Sequence, residues 1–490
     1  MIKIEGDKLE MKSVVGAGIV EIITESLYDK PIVVFREYVQ NSADAFFSVP
    51  EEDKNKLEVR IQCIDNNLCF VDNGTGIKED KFEEVMVSIA SSKKTRTKNI
   101  GYKGIGRLSG LSYCESLWFV NILSYSGKEY QIYKIDGKKY SDIKKSESFG
   151  ELSFPELMSK IGCMENQIDQ KIEMALNQCG SMFVNRNSGF LVILEGVSPI
   201  LRKTIDDEQF VSDLGWLLPV PFTEKLDERG IFDKIATNEL FEGGLVPARA
   251  YKIFWNDVQI FRPLSKDMIR TYLCKSDLGK YATCIHSFSN QKIELSKSNP
   301  FSGIRIYLDN VLLCDENELI PVLQQYGFVN HGLYEMIQSV RGIGAFIYIV
   351  DKVNISANAR RTFIDITDND AIQFLRLVAE FIEMVYDARY ALSKYTSAKK
   401  KAGISAEKLI ELKEKAQISL EALAQNEIII MEEVVETKDF KDLSRVEQQR
   451  MVKDKVSKSI SECLKKFLDQ SESFDYASCV EDFKTWLKGN

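Results

Sequence analysis

The chain has 490 residues, a formal net charge of −9, 44% hydrophobic and 28% charged residues, the make-up of a globular protein with room for about three domains. No apolar run approaches the ~18 residues a membrane span needs, and the opening Met1-Ile2-Lys3-Ile4-Glu5-Gly6-Asp7 lacks the apolar stretch of a secretory signal. The acidic balance argues against a nucleic-acid footprint spread over the whole chain, and ten cysteines without a C-x-x-C pair fit a reducing cytoplasm rather than a disulfide scaffold or zinc site.

In chain order, residues 16–28 are predicted as a helix, because Ile19, Val20, Ile22, Ile23 and Leu27 fall largely on one face. Pro31 opens a second helix, as proline tolerates the first helical turn. On it Glu37, Asn41 and Asp44 recur at i, i+4 and i+7. Residues 57–64 and 68–71 are β-type runs separated by Asp65-Asn66-Asn67, a hairpin signature. Further strands are expected at 116–124, 129–135 and 190–194, and helices mixed with runs of strands predict an α+β sandwich over residues 1–200. A second segment, 201–395, restarts after Pro199, Pro219 and Pro221, with strands at 250–255, 303–308 and 344–350 and a helix at 371–390. The last segment, 396–490, is proline-free, rich in Lys and Glu, and predicted helical. Leu409, Leu412, Ala416, Leu423, Ile430 and Val434 give it a loose heptad seam. That seam suits a helical hairpin packed on its own domain, or alternatively a dimerisation helix. His286 and His331 sit in no metal-binding motif, so each is expected as a surface or partly buried structural residue.

Three motifs carry chemistry. In Phe35-Arg36-Glu37-Tyr38-Val39-Gln40-Asn41-Ser42-Ala43-Asp44, Glu37 suits a base or water-orienting carboxylate near a γ-phosphate. Asn41 can supply the single amide oxygen that Mg²⁺ needs beside phosphates and water. In Asp72-Asn73-Gly74-Thr75-Gly76 a carboxylate ends a strand, and Gly74 and Gly76 let backbone approach a flat ligand. A buried aspartate there can accept a hydrogen bond from an exocyclic amine and so select adenine. Gly101, Gly104 and Gly106 form G-x-x-G-x-G, whose backbone N–H groups can hold phosphate oxygens. The basic run before it, with Ser92 and Lys94 as candidates, reads as a lid over a triphosphate. Which lysine meets phosphate stays open.

In order and spacing these motifs resemble the GHKL, or Bergerat-fold, ATPases: gyrase, the ninety-kilodalton heat-shock chaperones, histidine kinases and MutL. Gly16-Ala17-Gly18-Ile19-Val20-Glu21-Ile22-Ile23, with Leu27-Tyr28, Ile89-Ala90-Ser91-Ser92 and the glycine run, is most similar to the HtpG-type chaperone branch. The resemblance implies that Glu37 is catalytic, Asn41 the Mg²⁺ ligand, Asp72 the adenine contact and Gly76 a glycine of the base pocket. It departs at Ser188-Gly189-Phe190, where the family usually has Gly-Thr. Ile355-Ser356-Ala357-Asn358-Ala359-Arg360-Arg361 is similar to the middle-domain loop that delivers an arginine to the γ-phosphate, with Arg361 aligning best and Arg360 the alternative. A ribosomal-S5-like fold is then implied for the second segment.

The function implied is an Mg²⁺-dependent, ATP-hydrolysing cytoplasmic protein whose nucleotide cycle acts on a protein client or partner. A homodimer, nucleotide-dependent in its formation, stays open. The alternative is a MutL- or MORC-like DNA-associated relative in a bacterial defence or stress system, which the acidic charge disfavours.

Overall fold

The structure, a computed structural model, describes residues 15–26, 30–46, 48–88, 105–221, 250–263, 272–288, 302–349, 353, 355–358, 363–401, 403–423 and 427–430. The chain divides into two compact units, Met1–Ile430 and Met431–Asn490, and the second lies outside the described residues.

The first sheet is assembled from β1 (Glu58–Ile64), β2 (Asn67–Asp72), β3 (Ser116–Ser124), β4 (Glu129–Asp136), β5 (Gly162–Glu165), β6 (Gly189–Glu195), β7 (Lys252–Trp255) and β8 (Val258–Gln259). Their order across the sheet is β5-β4-β3-β6-β2-β1-β7-β8. Every pairing is antiparallel except β1 with β7. The β1–β2 hairpin turns through Asp65 at φ 52, a left-handed conformation that aspartate tolerates. Its register, Ile64 opposite Asn67, puts Asn67 in the strand and leaves a two-residue loop.

Both faces of this sheet are covered. Leu117 and Phe119 of β3 join the large core under helix Val33–Phe46, while Trp118 and Val120 join a second core with Ile172 and Leu176 of helix Gln170–Gln178. That two-sided burial is why β2, β3 and β6 read as nearly continuous apolar runs instead of alternating ones. The larger core also takes in Leu201, Phe210, Leu214, Ile253 and Ile260. Thus helices Pro199–Ile205 and Phe210–Leu217 and strand β7 complete the first sheet's packing from beyond residue 200.

The helix predicted over 16–28 is α-helical only from Gly18 to Glu21, then π-helical from Ile22 to Ser26. The Thr24 hydroxyl donates to the Val20 carbonyl at 2.9 Å, a side-chain competitor for the acceptors of the α ladder. Val20 and Ile23 are buried, but Ile22 is exposed. Leu27 and Tyr28 lie outside the described residues.

The second sheet has β9 (Tyr272–Leu278), β10 (Ala282–Phe288), β11 (Gly303–Leu308), β12 (Val311–Asp315), β13 (Gly344–Ile349) and β14 (Glu427–Ile430), in the order β12-β11-β13-β10-β9-β14. Helices Glu316–Gln325, Leu333–Val340 and Asn369–Lys400 supply Leu319, Met336, Phe374, Val378 and Ile382 to its core. The predicted all-helical course after 396 is corrected in one place. Helix Ala406–Leu423 is followed by β14, which pairs antiparallel with β9, so Ile430 lies in a strand and not on a helical seam. Val434 lies outside the described residues. Ala416 and Leu423 are buried, and helix Ala406–Leu423 packs on helix Asn369–Lys400. His286 of β10 is completely buried, contrary to the surface or partly buried setting expected. Its Nε2 lies 2.9 Å from the Leu423 carbonyl, and burial pushes its pKa down to about 4.

Candidate active site

Helix Val33–Phe46 lies on the first sheet with Phe35 and Tyr38 packed against Phe70 of β2, at ring separations of 5.4 and 5.0 Å. The anchored aromatic stripe leaves Glu37, Asn41 and Asp44 on a neighbouring face by the helical period. Glu37 and Asp44 are buried and Asn41 half-buried. The Glu37 carboxylate accepts from Arg36 through Nε at 3.3 Å and a terminal nitrogen at 3.1 Å, both partners being buried. A buried ion pair of this kind is held by its geometry, since removing one partner strands the other charge.

Gly106, the last glycine of the G-x-x-G-x-G run, lies directly on that carboxylate: a Cβ added there would overlap Glu37 Oε2. Close by, the Tyr38 hydroxyl donates to the Arg107 carbonyl at 3.0 Å and accepts from the Gly110 N–H at 3.1 Å. The end of the glycine run is thereby fastened to the helix that carries Glu37. Ser92, Lys94, Gly101 and Gly104 lie outside the described residues.

Asp72 is the last residue of β2 and is buried. One carboxylate oxygen accepts from the Gly74 N–H at 2.9 Å, the other from the Ser42 hydroxyl at 2.8 Å. Burial drives its pKa up to about 6, against the opposing pull of the Gly74 amide, the Ser42 hydroxyl, the Arg186 charge and the Phe190 amide. The loop after it is pinned on several sides. The Asn73 side chain accepts from the Glu58 N–H and donates to the Lys56 and Met182 carbonyls. Arg186 Nε donates to the Asn73 carbonyl at 2.7 Å, and the Ser188 hydroxyl to the Gly74 carbonyl at 3.0 Å. Gly74 is packed so closely that a Cβ would come within 2.9 Å of Asp72 and 3.0 Å of Ala45. Gly76 has φ 62, and a Cβ on it would meet Asn121 at 2.8 Å. Both glycines are required by that crowding, and Gly76 also by its left-handed backbone.

Asn121 is a site residue that the motif reading passes over. It sits fully buried in β3, accepts from the Ile77 N–H and donates to the Ile77 carbonyl, both at 2.8 Å, and also donates to Gln131 at 2.9 Å. The signal was available: one asparagine within Ser116-Leu117-Trp118-Phe119-Val120-Asn121-Ile122 must have partners if that strand is buried. Arg186 lies in a turn-rich stretch where nothing marks it. Phe190, at the point of departure from the chaperone pattern, is directly opposite Asp72 in the β2–β6 register and turns its ring toward Phe82 and Phe119.

In the second sheet's neighbourhood Ala357 bridges Ile364, and the Asn358 N–H donates to the Phe363 carbonyl at 2.8 Å. Arg360 and Arg361, between these pairs, lie outside the described residues.

The helix bearing Glu37 and Asn41 thus meets the strand end at Asp72 through the Ser42 hydroxyl, and meets the end of the glycine run where Gly106 lies against the Glu37 carboxylate. Residues 30–159 match the family described as histidine kinase-, DNA gyrase B-, and HSP90-like ATPase. The match supports the GHKL superfamily, and the α+β layers around the first sheet fit its fold. That family implies ATP binding and ATPase activity in general. No curated protein matches the chain. Among the described residues no helix is long and apolar enough to cross a membrane.

Proposed function

We propose that the protein is an Mg²⁺-dependent ATPase of the HtpG-like branch that uses nucleotide-driven conformational change to act on a protein client or partner in the cytoplasm. The observation carrying this reading is the Asp72 carboxylate, buried and held by the Gly74 N–H and by Ser42 of the helix that also carries Glu37 and Asn41. Asp72 accepts the adenine amine, while Gly74 and Gly76 admit the base. Asn41 offers its amide oxygen to Mg²⁺, which supplies charge neutralisation at the phosphates. Glu37 orients and deprotonates the attacking water once Arg36 shares or releases it. Gly101, Gly104 and Gly106 offer backbone N–H groups to the phosphates, with Ser92 and Lys94 as further phosphate-binding candidates.

The second sheet and its helices serve, in this reading, as an S5-like transducer that delivers Arg361 to the γ-phosphate, and the C-terminal region supports a nucleotide-dependent dimer. We set the first boundary near residue 262 rather than 200, because Leu201, Phe210, Ile253 and Ile260 pack in the first core. The test is titration of the full chain with ATP, with and without Mg²⁺, alongside phosphate release. Binding without Mg²⁺-stimulated turnover refutes the enzymatic part of the proposal. Salt-sensitive DNA binding in the same preparation favours the MutL- or MORC-like alternative.

A further inference from the structure

Arg262 is completely buried where the two sheets' packing meets. Its backbone N–H donates to the Pro221 carbonyl at 2.8 Å. One terminal nitrogen donates to the Trp216 carbonyl at 3.3 Å. The other reaches the Leu218 carbonyl at 3.4 Å, the Asn310 carbonyl at 3.3 Å and the Asn310 side-chain oxygen at 2.7 Å. Trp216 and Leu218 end helix Phe210–Leu217, whose C-terminal carbonyls carry partial negative charge and suit a guanidinium. Beneath it, the Tyr307 ring centroid is 4.3 Å from Cζ. A second cation–π contact, Arg305 at 4.2 Å from the Trp216 ring, reinforces the same junction.

Asn310 belongs to the two-residue turn between β11 and β12, with φ 55 at Asp309 and 61 at Asn310, the mirror-image turn favoured in hairpins. The next residue, Val311, packs on Ala43, with Tyr251 beside them. Ala43 is on the site helix between Ser42, which holds Asp72 at 2.8 Å, and Asp44. One buried arginine therefore fixes a turn of the second sheet whose neighbour bears on the helix carrying Glu37 and Asn41.

We propose that Arg262 is a positioning residue for ATP hydrolysis, setting the site helix through the Asn310 turn and the Val311–Ala43 contact. The inference rests on the ATPase reading above. Any ligand that draws on Asp72 or Asn41 must then shift or stabilise the turn, and by linkage the turn's position must alter what the site does with its ligand.

The experiment compares full-length wild type with Asn310→Gly, Val311→Ala and Arg262→Met. Asn310→Gly keeps a positive-φ backbone while deleting the 2.7 Å acceptor, so it remains informative if Arg262→Met fails to fold. Steady-state ATPase gives kcat and KM, and amide hydrogen exchange reads β11–β12 with and without nucleotide. We expect Asn310→Gly and Val311→Ala to lower kcat about tenfold, the scale of one lost charge-assisted bond or its packed neighbour, with KM changed less than about twofold. Nucleotide-dependent protection of the β11–β12 amides, present in wild type, is lost in both. Asn310→Asp, which restores the acceptor, recovers turnover. Lower melting temperatures with unchanged kcat and unchanged nucleotide-dependent exchange would show Arg262 to be structural only and overturn the proposal. Absence of ATP binding by wild type itself would instead sink the underlying ATPase reading.

Discussion

Replacing Asp72 by Asn should remove ATP binding while leaving the fold intact, and the wild-type site should show why through its pH dependence. In the unliganded protein burial raises the Asp72 pKa to about 6. If the carboxylate accepts the adenine amine, ATP prefers the ionised form, so affinity should fall about tenfold per pH unit below 6 and level off above it. The Asn variant loses a charge-assisted acceptor, about 1.5–3 kcal/mol, or roughly ten- to a hundredfold or more in Kd. It also presents an N–H₂ toward groups that need an acceptor. Folding survives because the Ser42 hydroxyl can accept from the new amide while turning its hydrogen to the Tyr38 carbonyl, 3.3 Å away. The linkage for stability has a definite sign. An unfolded aspartate titrates near 3.9, so between about pH 4 and 6 the native state holds a proton that the unfolded chain has lost. Stability from this group is greatest below about pH 4 and declines through pH 6, by on the order of 3 kcal/mol. Unliganded Asp72→Asn should thus be the more stable protein at neutral pH. Calorimetric titration of ATP from pH 5 to 8 on both proteins, with thermal unfolding, tests this, and acid–base titration of free ATP corrects for ionisation of the nucleotide itself. Wild-type affinity in the variant removes Asp72 from the site.

Glu37→Ala should bind ATP yet turn it over about 10²–10⁴-fold more slowly, measured by phosphate release; wild-type turnover would end its catalytic assignment. Asn121→Ala strips both backbone bonds from Ile77 and leaves a void behind Gly76, so it should weaken ATP binding and lower stability by about 2–4 kcal/mol in denaturant titration; unchanged values would show that the clamp is dispensable. A chain cut after residue 200 loses Leu201, Phe210, Leu214, Ile253 and Ile260 from the first core and should lack a cooperative unfolding transition; a sharp one would show that the first sheet closes without β7. Arg361→Ala should lower kcat more than nucleotide affinity, because such a contact strengthens as charge builds in the transition state. Arg360→Ala is its control, and equal turnover in wild type and Arg361→Ala would make the loop resemblance irrelevant to catalysis.

What could be read before the structure follows a physical division. The β1–β2 hairpin and β3 were legible because their signals are local: apolar runs bounded by turn formers, with Asp65 in the conformation its side chain tolerates. The π-helical turn at Ile22–Ser26 was not, since the same apolar spacing serves an α or a π course and a single hydroxyl bond at Thr24 accompanies the change. Residues 250–255 read as a strand in either sheet. Only the parallel register Val59 opposite Ile253 assigns β7 to the first, and no local pattern encodes a partner so distant in the chain.

The site divides the same way. Glu37, Asp72 and the glycines are legible because chemistry restricts residue type there: Gly76 by its backbone and Gly106 by the carboxylate lying where a Cβ would go. Asn121, Arg186 and Arg262 act by holding backbone, a task that many polar residues could perform, so their identity carries little signal until their partners are known. This also explains why the two kinds of residue should fail differently when changed. In the proposed ATPase reading, altering Asp72 removes a contact that the ligand would make directly, so binding should respond. Altering Arg262 should leave such contacts in place and change only the support of the helix proposed to present them. Its effect should therefore appear in turnover, where small displacements of Glu37 matter most.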